Sequence, residues 1–336
     1  MSAATLAGRY WGEGMKTIIV AMALLLPSLA YAQDRPEWAF GPDSSGIAYP
    51  RKPDDGILKH VPGSAKSYTQ AQIDDPMHPP DWFPDEHPPM PRVVAEGNGT
   101  TVRACIGCHL ANGHGHPENS RLPGSSAVYL KRQLEEFRVG KRQGPASLLM
   151  NNSAKHLTDD EITAATEYFS KLKVVPWTRV VETDTIPKTW WRGNRRVQLA
   201  EGGTEPIGHE IVEVPADPAR TALRDPHSGT ISYVPVGSLA RGEMLVTTGG
   251  DSETLPCAGC HGPKLQGTVD IPNIAGQHSI VIARQLFAFK AGDRDGAMAA
   301  LMRPVVEKLT NDDIIAIAAY VASLDGRADG SADGQN

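Results

Sequence analysis

Two stretches of the chain carry the same apolar stripe. Ile162, Ala165, Phe169 and Leu172 recur at separations of three and four residues, as do Ile314, Ile317, Val321 and Leu324, which puts each set on one face of a helix that packs on a core. Each stripe follows a helix-start signal. Thr158-Asp159-Asp160-Glu161 reads as a capping box with acids in the first turn, and Thr310-Asn311-Asp312-Asp313 is its second form. Another helix is expected upstream of each, over about 126–140 and 278–292, closed by Gly140 and Gly292 beside basic residues. Gln133 and Gln285 fall inside those helices, where a solvated or capping role is expected ahead of one facing a bound group.

The two sets are one set repeated. An offset of 152 residues carries Cys105 onto Cys257 and, without a gap, Gln133-Leu134 onto Gln285-Leu286, Phe137 onto Phe289, Gly140 onto Gly292 and Arg142 onto Arg294. The same offset carries Met150 onto Met302, Leu157-Thr158 onto Leu309-Thr310 and Tyr168 onto Tyr320. A register held this long marks a duplicated helical unit of roughly 85 residues, expected at 92–175 and 237–326.

Three segments lie outside the repeat. Residues 33–91 hold 12 of the 27 prolines, so an extension wrapping as ordered coil is expected there. Residues 176–236 carry strand-like runs at 211–214 and 230–234 separated by turn residues, which predicts a small β-containing insertion. Residues 327–336, rich in Gly, Asp and Ser with no apolar stripe, read as a flexible tail. The N-terminus has Lys16, an apolar run from Thr17 to Leu26, and Ala30-Tyr31-Ala32, the pattern of a signal peptide over 1–32 cleaved after Ala32; the expected location is the periplasm. Because a charged residue normally opens such a leader, Met15 competes with Met1 as the start. The apolar run is well short of the ~20 residues a membrane span needs.

Composition narrows the partners. The chain has 33 basic and 39 acidic residues for a formal charge of -6, with no basic run interleaved with aromatics, so nucleic acid is not an expected partner. Loss of Arg9, Lys16 and Glu13 with the leader leaves 31 basic and 38 acidic residues, a net of -7.

All four cysteines lie in two Cys-x-x-Cys-His runs, Cys105-Ile106-Gly107-Cys108-His109 and Cys257-Ala258-Gly259-Cys260-His261. None remains for a disulfide framework. Cysteines three positions apart suit two thioether bonds to one porphyrin, with the adjacent histidine beneath its iron, so two covalently attached haem c groups are expected. A zinc site pooling Cys105, Cys108, Cys257 and Cys260 is the rival, disfavoured because each pair has a complete copy of the repeat to itself. A thioredoxin-type pair would want a βαβ surround, and the local pattern is helical. Domains of this size bury only ~60% of their unfolded surface, and a covalent macrocycle at the centre of each would supply what the small core lacks.

A sixth iron ligand has to come from the opposite haem face. Met150 and Met302 occupy matching places ahead of the last helix, and a thioether paired with histidine favours reduced iron and raises the potential. The expected metal ligands are therefore His109 with Met150 and His261 with Met302. Met298 competes with Met302, and His114, His116, His156 and His278 are alternatives that would give lower potentials. The ligand histidines are expected to donate their other ring proton to a carbonyl, with Pro123 and Pro272 as candidates.

The series Cys-x-x-Cys-His, Gln-Leu-x-x-Phe-x-x-Gly-x-Arg, Met and Leu-Thr-x-x-x-Ile resembles class I cytochrome c domains of the dihaem cytochrome c4 kind, over about half the chain. The resemblance implies an all-α fold of two tandem class I cytochrome c domains, to which this chain adds a coil-rich N-terminal segment and the β-containing insertion. It implies a periplasmic carrier passing single electrons from a dehydrogenase, or serving as its cytochrome subunit, toward an acceptor such as a terminal oxidase or another cytochrome. Contact with a membrane would then be peripheral and through the partner. A carrier is expected ahead of an enzyme; the alternative is a dihaem redox enzyme of the cytochrome c peroxidase or thiosulfate dehydrogenase type, which would need an exchangeable iron site with acid–base groups nearby.

Overall fold

The computed structural model describes residues 35–42, 54–99, 101–250 and 254–327. The expected leader, its cleavage site and the alternative start lie outside them, as does the expected tail beyond Arg327. The described residues from Glu37 to Arg327 form one compact body. Among the described residues no helix is long and apolar enough to cross a membrane.

The repeat is visible helix by helix. Ala127–Arg138 and Ser279–Lys290 correspond, then Leu148–Lys155 and Ala299–Val306, then Asp159–Ser170 and Asn311–Ser323. Both capping boxes form: the Thr158 hydroxyl accepts from Glu161 N at 3.2 Å while Glu161 Oε2 accepts from Thr158 N at 2.8 Å, and Thr310 and Asp313 make the same exchange at 3.2 and 2.9 Å. Gly140 and Gly292 end the preceding helices with φ of 72° and 77°, a left-handed turn that costs glycine nothing. The stripes are core: Ile162 and Ile314 are both fully buried, inside two separate apolar clusters.

The copies differ at their beginnings. The second opens with Ser238–Thr248, which lies against Asn311–Ser323, whereas the first has only the single turn Arg92–Ala95. Pro88, Pro89 and Pro91 lack the N–H groups that a longer helix would need.

The extra segments fold around this frame. Between the copies, Thr178–Glu182 pairs parallel with Thr230–Val234, which pairs antiparallel with Val212–Pro215. Two short two-stranded ribbons lie between them in sequence, Thr185–Pro187 with Thr204–Pro206 and Thr189–Arg192 with Arg195–Gln198. The proline-rich segment has a small core of its own, Val61, Ile73 and Trp82, against which Tyr68, Phe83 and Leu223 pack. The indole of Trp82 donates to Leu223 O at 2.8 Å, so the N-terminal segment and the insertion are pinned together.

Candidate functional sites

Each Cys-x-x-Cys-His run folds as one helical turn, Ile106–His109 and Ala258–His261, with the first cysteine at its N-terminal edge. Backbone bonds from Cys108 N and His109 N to Cys105 O, and from Cys260 N and His261 N to Cys257 O, span 2.9–3.2 Å. One turn brings residues three apart to the same face, so both thiols of a run point the same way. The chain leaves the second turn through Gly262, φ 82°, and the first through Leu110, φ 61°, a left-handed conformation rare for leucine. Burial pushes the Cys105 thiol up to about 12 and Cys257 up to about 11, and raises Cys108 as well. None of these three is the low-pKa thiolate that redox or nucleophilic chemistry uses.

The histidines are set alike. His109 Nδ1 lies 2.9 Å from Ser120 O, and His261 Nδ1 lies 2.9 Å from Pro272 O. A carbonyl can only accept, so Nδ1 carries the proton in both and Nε2 is the lone-pair donor, which is the tautomer a metal needs. Burial pulls His109 down to about 4 and lowers His261, outweighing the carbonyl bonds that oppose the shift, so both imidazoles are neutral at physiological pH. Pro272 is one of the two expected acceptors. The other is Ser120 instead of Pro123, and Ser120 is the residue that maps onto Pro272 under the 152-residue offset. The bond needs only a carbonyl, which any residue type supplies, so side-chain identity does not mark its position.

Of the methionines, Met150 sits on Leu148–Lys155 and Met302 on Ala299–Val306, both half-buried. Met302 packs against the second core, whereas Met298 stands at the N-cap position of that helix. Three of the four alternative histidines make hydrogen bonds through their rings. His114 is buried, donates from Nδ1 to Asn112 O at 3.0 Å and accepts at Nε2 from Val175 N at 3.1 Å. His278 reaches Glu213 Oε1 through Nδ1 at 2.5 Å and His114 O through Nε2 at 2.9 Å. His156 is exposed, its Nδ1 on Asn152 O at 2.8 Å. His116 is buried, with its basicity pulled down to about 3 by desolvation.

Gln133 is neither solvated nor capping. It is 6% exposed, and its Oε1 accepts from Arg142 of its own copy at 3.0 Å and from Arg294 of the other at 2.7 Å. Gln285 Oε1 accepts reciprocally from Arg294 at 3.0 Å and Arg142 at 2.9 Å. Arg142 and Arg294 stand over Phe137 and Phe289, each with its guanidinium carbon 4.1 Å from the ring centre. The two halves therefore meet about a pseudo-two-fold axis through equivalent residues.

A family model for cytochrome c matches residues 94–173 and 240–325. Cytochrome c-554(548) of Halomonas halodenitrificans is 39% identical over 88 residues, which is 26% of this chain and 96% of that protein. The chain belongs to the cytochrome c family. Cytochrome c4 of Pseudomonas aeruginosa is 26% identical over 226 residues, 66% of this chain and 83% of that one. A thiosulfate dehydrogenase electron acceptor of Thiomonas intermedia is 28% identical over 225 residues, 66% of this chain and 78% of that one. This is a dihaem class I cytochrome of the cytochrome c4 kind, with two covalently bound haem c groups as cofactors. The residues present suit the group, since each half offers a thiol pair on one helical turn and a neutral histidine with Nδ1 already tied.

The cytochrome treats its two motifs unequally. The first is covered: Ala104 N donates to Pro76 O at 3.1 Å, Arg224 donates to Gly107 O and to Ile73 O, and Asn112 donates to Pro226 O at 2.5 Å. The second is open, with Gly259 and Cys260 exposed.

Proposed function

We propose that this cytochrome is a periplasmic one-electron carrier with His109 and Met150 on one iron and His261 and Met302 on the other, the porphyrins being held by Cys105 with Cys108 and by Cys257 with Cys260. The haem domains are 92–175 and 237–326, and the leader is removed after Ala32. The observation that carries this reading is the matched pair of histidine-to-carbonyl bonds, at Ser120 and Pro272, because both halves prepare the same nitrogen for the same role. Each haem, when bound, supplies an iron that cycles between ferric and ferrous states. The protein holds the imidazoles neutral and oriented, and it buries the surrounding apolar walls so that the iron exchanges electrons and not ligands.

The electron donor is a periplasmic dehydrogenase and the acceptor a terminal oxidase or another cytochrome. The relative named as an electron acceptor of thiosulfate dehydrogenase supports a dehydrogenase on the donor side. The test is spectral. Pyridine haemochrome assay gives two haems per polypeptide, both ferric irons show the methionine charge-transfer band, and cyanide, azide and peroxide leave the spectrum unchanged at millimolar concentration. A high-spin, ligand-binding iron would overturn the carrier reading.

A further inference from the structure

Arg121 is an unusual residue to bury. It is 3% exposed and sits at the seam between the two halves, one residue after Ser120. Its guanidinium reaches across the seam: Nη1 donates to Ala275 O at 2.8 Å, and Nη2 donates to Asn273 Oδ1 at 3.2 Å and Asn273 O at 3.4 Å. Its backbone is clamped as well, Arg121 N donating to Gln277 Oε1 at 2.9 Å and Gln277 Nε2 donating back to Arg121 O at 3.1 Å. Asn273 directly follows Pro272 and is itself held, donating to Gly326 O at 2.8 Å. Arg121 and Asn273 are equivalent positions under the 152-residue offset, so one of the repeat's own sites has become an arginine that grips its twin.

The consequence is a continuous chain of short links. His109 bonds to the carbonyl of Ser120, Ser120 is joined to Arg121, Arg121 bonds to Asn273, Asn273 is joined to Pro272, and the carbonyl of Pro272 bonds to His261. We infer that Arg121 is a positioning residue shared by both haem sites: a single cation orients both ligand histidines and raises both potentials together. This rests on the assignment of His109 and His261 as the iron ligands. Burial pulls the guanidinium down to about 10, so it is still charged at neutral pH. A buried positive charge beside both ligand loops disfavours the more positive ferric state in each.

The experiment uses the holoprotein. Arg121→Gln removes the charge and the fork, and redox titration followed at two wavelengths is expected to show both midpoint potentials falling in parallel. Hydrogen exchange of the two ligand-imidazole Nδ1 protons, read by NMR, is expected to quicken at both sites. Arg121→Lys keeps the charge and holds both potentials near those of the parent. Gln277→Ala loosens the same seam without removing the charge and leaves both potentials unchanged. A response at one haem only, no response, or an equal response to Gln277→Ala would overturn the proposal. Failure of the ligand assignment itself would appear separately, in the parent protein, as fewer than two covalent haems or the wrong axial spectrum.

Discussion

Glu213 and His278 meet in the interior with 2.5 Å between Oε1 and Nδ1, both side chains at most 1% exposed. Glu213 belongs to the inserted sheet and His278 precedes the helix Ser279–Lys290, while His278 Nε2 reaches the carbonyl of His114 in the first half. Three parts of the chain are thus joined through one imidazole. The carboxylate also accepts from the hydroxyls of Thr230 at 2.8 Å and Ser279 at 3.0 Å, and from Ile280 N at 3.2 Å. Burial alone would raise its pKa, but the His278 ring and these donors outweigh it and hold Glu213 below the ordinary carboxylate range.

Removing one partner of such a pair leaves the other buried and uncompensated. Glu213→Ala is expected to cost about 3 kcal/mol or more in guanidinium unfolding of the holoprotein. Glu213→Gln keeps an acceptor and loses the charge, for about 1–2 kcal/mol. Because the folded-state pKa is depressed, the stabilisation is fully present above the unfolded carboxylate value near 4.5 and is lost as pH falls through the lower folded value. Unfolding midpoints of the parent should therefore drop more steeply below about pH 4.5 than those of Glu213→Gln. Parallel curves would show that the pair carries no pH-linked stability.

The crossed arginines make a second prediction. Arg142 and Arg294 share the acceptors Gln133 and Gln285, and burial, then the neighbouring Arg294, pull Arg142 down to about 9. Each alanine substitution removes two hydrogen bonds and a ring contact, about 2 kcal/mol. The double substitution should cost more than the sum, with a coupling of about 1 kcal/mol, since the like-charge repulsion can be relieved only once and only the double change leaves Gln133 and Gln285 without both arginine donors. Additive costs in a double-mutant cycle would separate the two residues.

How much of this was legible in advance follows from what repeats. Helices, caps and closing glycines recur at a fixed offset because each is set by residues a few positions apart, and Thr158 and Thr310 cap as their local spacing requires. The haem-attachment motifs are local in the same sense. Long-range partners are not: Gln133 reads as surface until Arg294, far away in sequence, is brought over it. Glu213 likewise looks like an ordinary strand residue, and only the fold reveals that its carboxylate lies against His278. Ser120 is unmarked in the sequence because a backbone carbonyl carries no residue signature, although the 152-residue offset from Pro272 falls on it.

The methionines can be tested one at a time. Met150→Ala and Met302→Ala are each expected to lower one midpoint potential by on the order of 100 mV, within the ~0.8 V that axial ligands control, and to leave the other couple nearly unchanged. The corresponding charge-transfer band should halve. Met298→Ala should be silent in both measurements, because Met302, not Met298, packs on the second core. Loss of a band in Met298→Ala would exchange the two assignments.

Two glycines of the second half separate packing from backbone freedom. Gly242 lies on Ser238–Thr248 where that helix crosses Asn311–Ser323, and a Cβ there would fall 2.1 Å from Ala316 O and 2.6 Å from Tyr320 Cβ. Neither atom can swing aside, since one is helix backbone and the other the first carbon of a side chain. Gly242→Ala must then push the helices apart, at about 2–3 kcal/mol. Gly259, inside the second Cys-x-x-Cys-His turn, has nothing within 4 Å of its would-be Cβ and lies in a helical conformation. Gly259→Ala should be neutral or stabilising by up to about 1 kcal/mol, through lower entropy of the unfolded chain. The guanidinium midpoint should thus fall in the Gly242→Ala holoprotein and hold or rise in Gly259→Ala, and a loss of stability in Gly259→Ala would mean that the open face of the second motif is more closely covered than its exposure indicates.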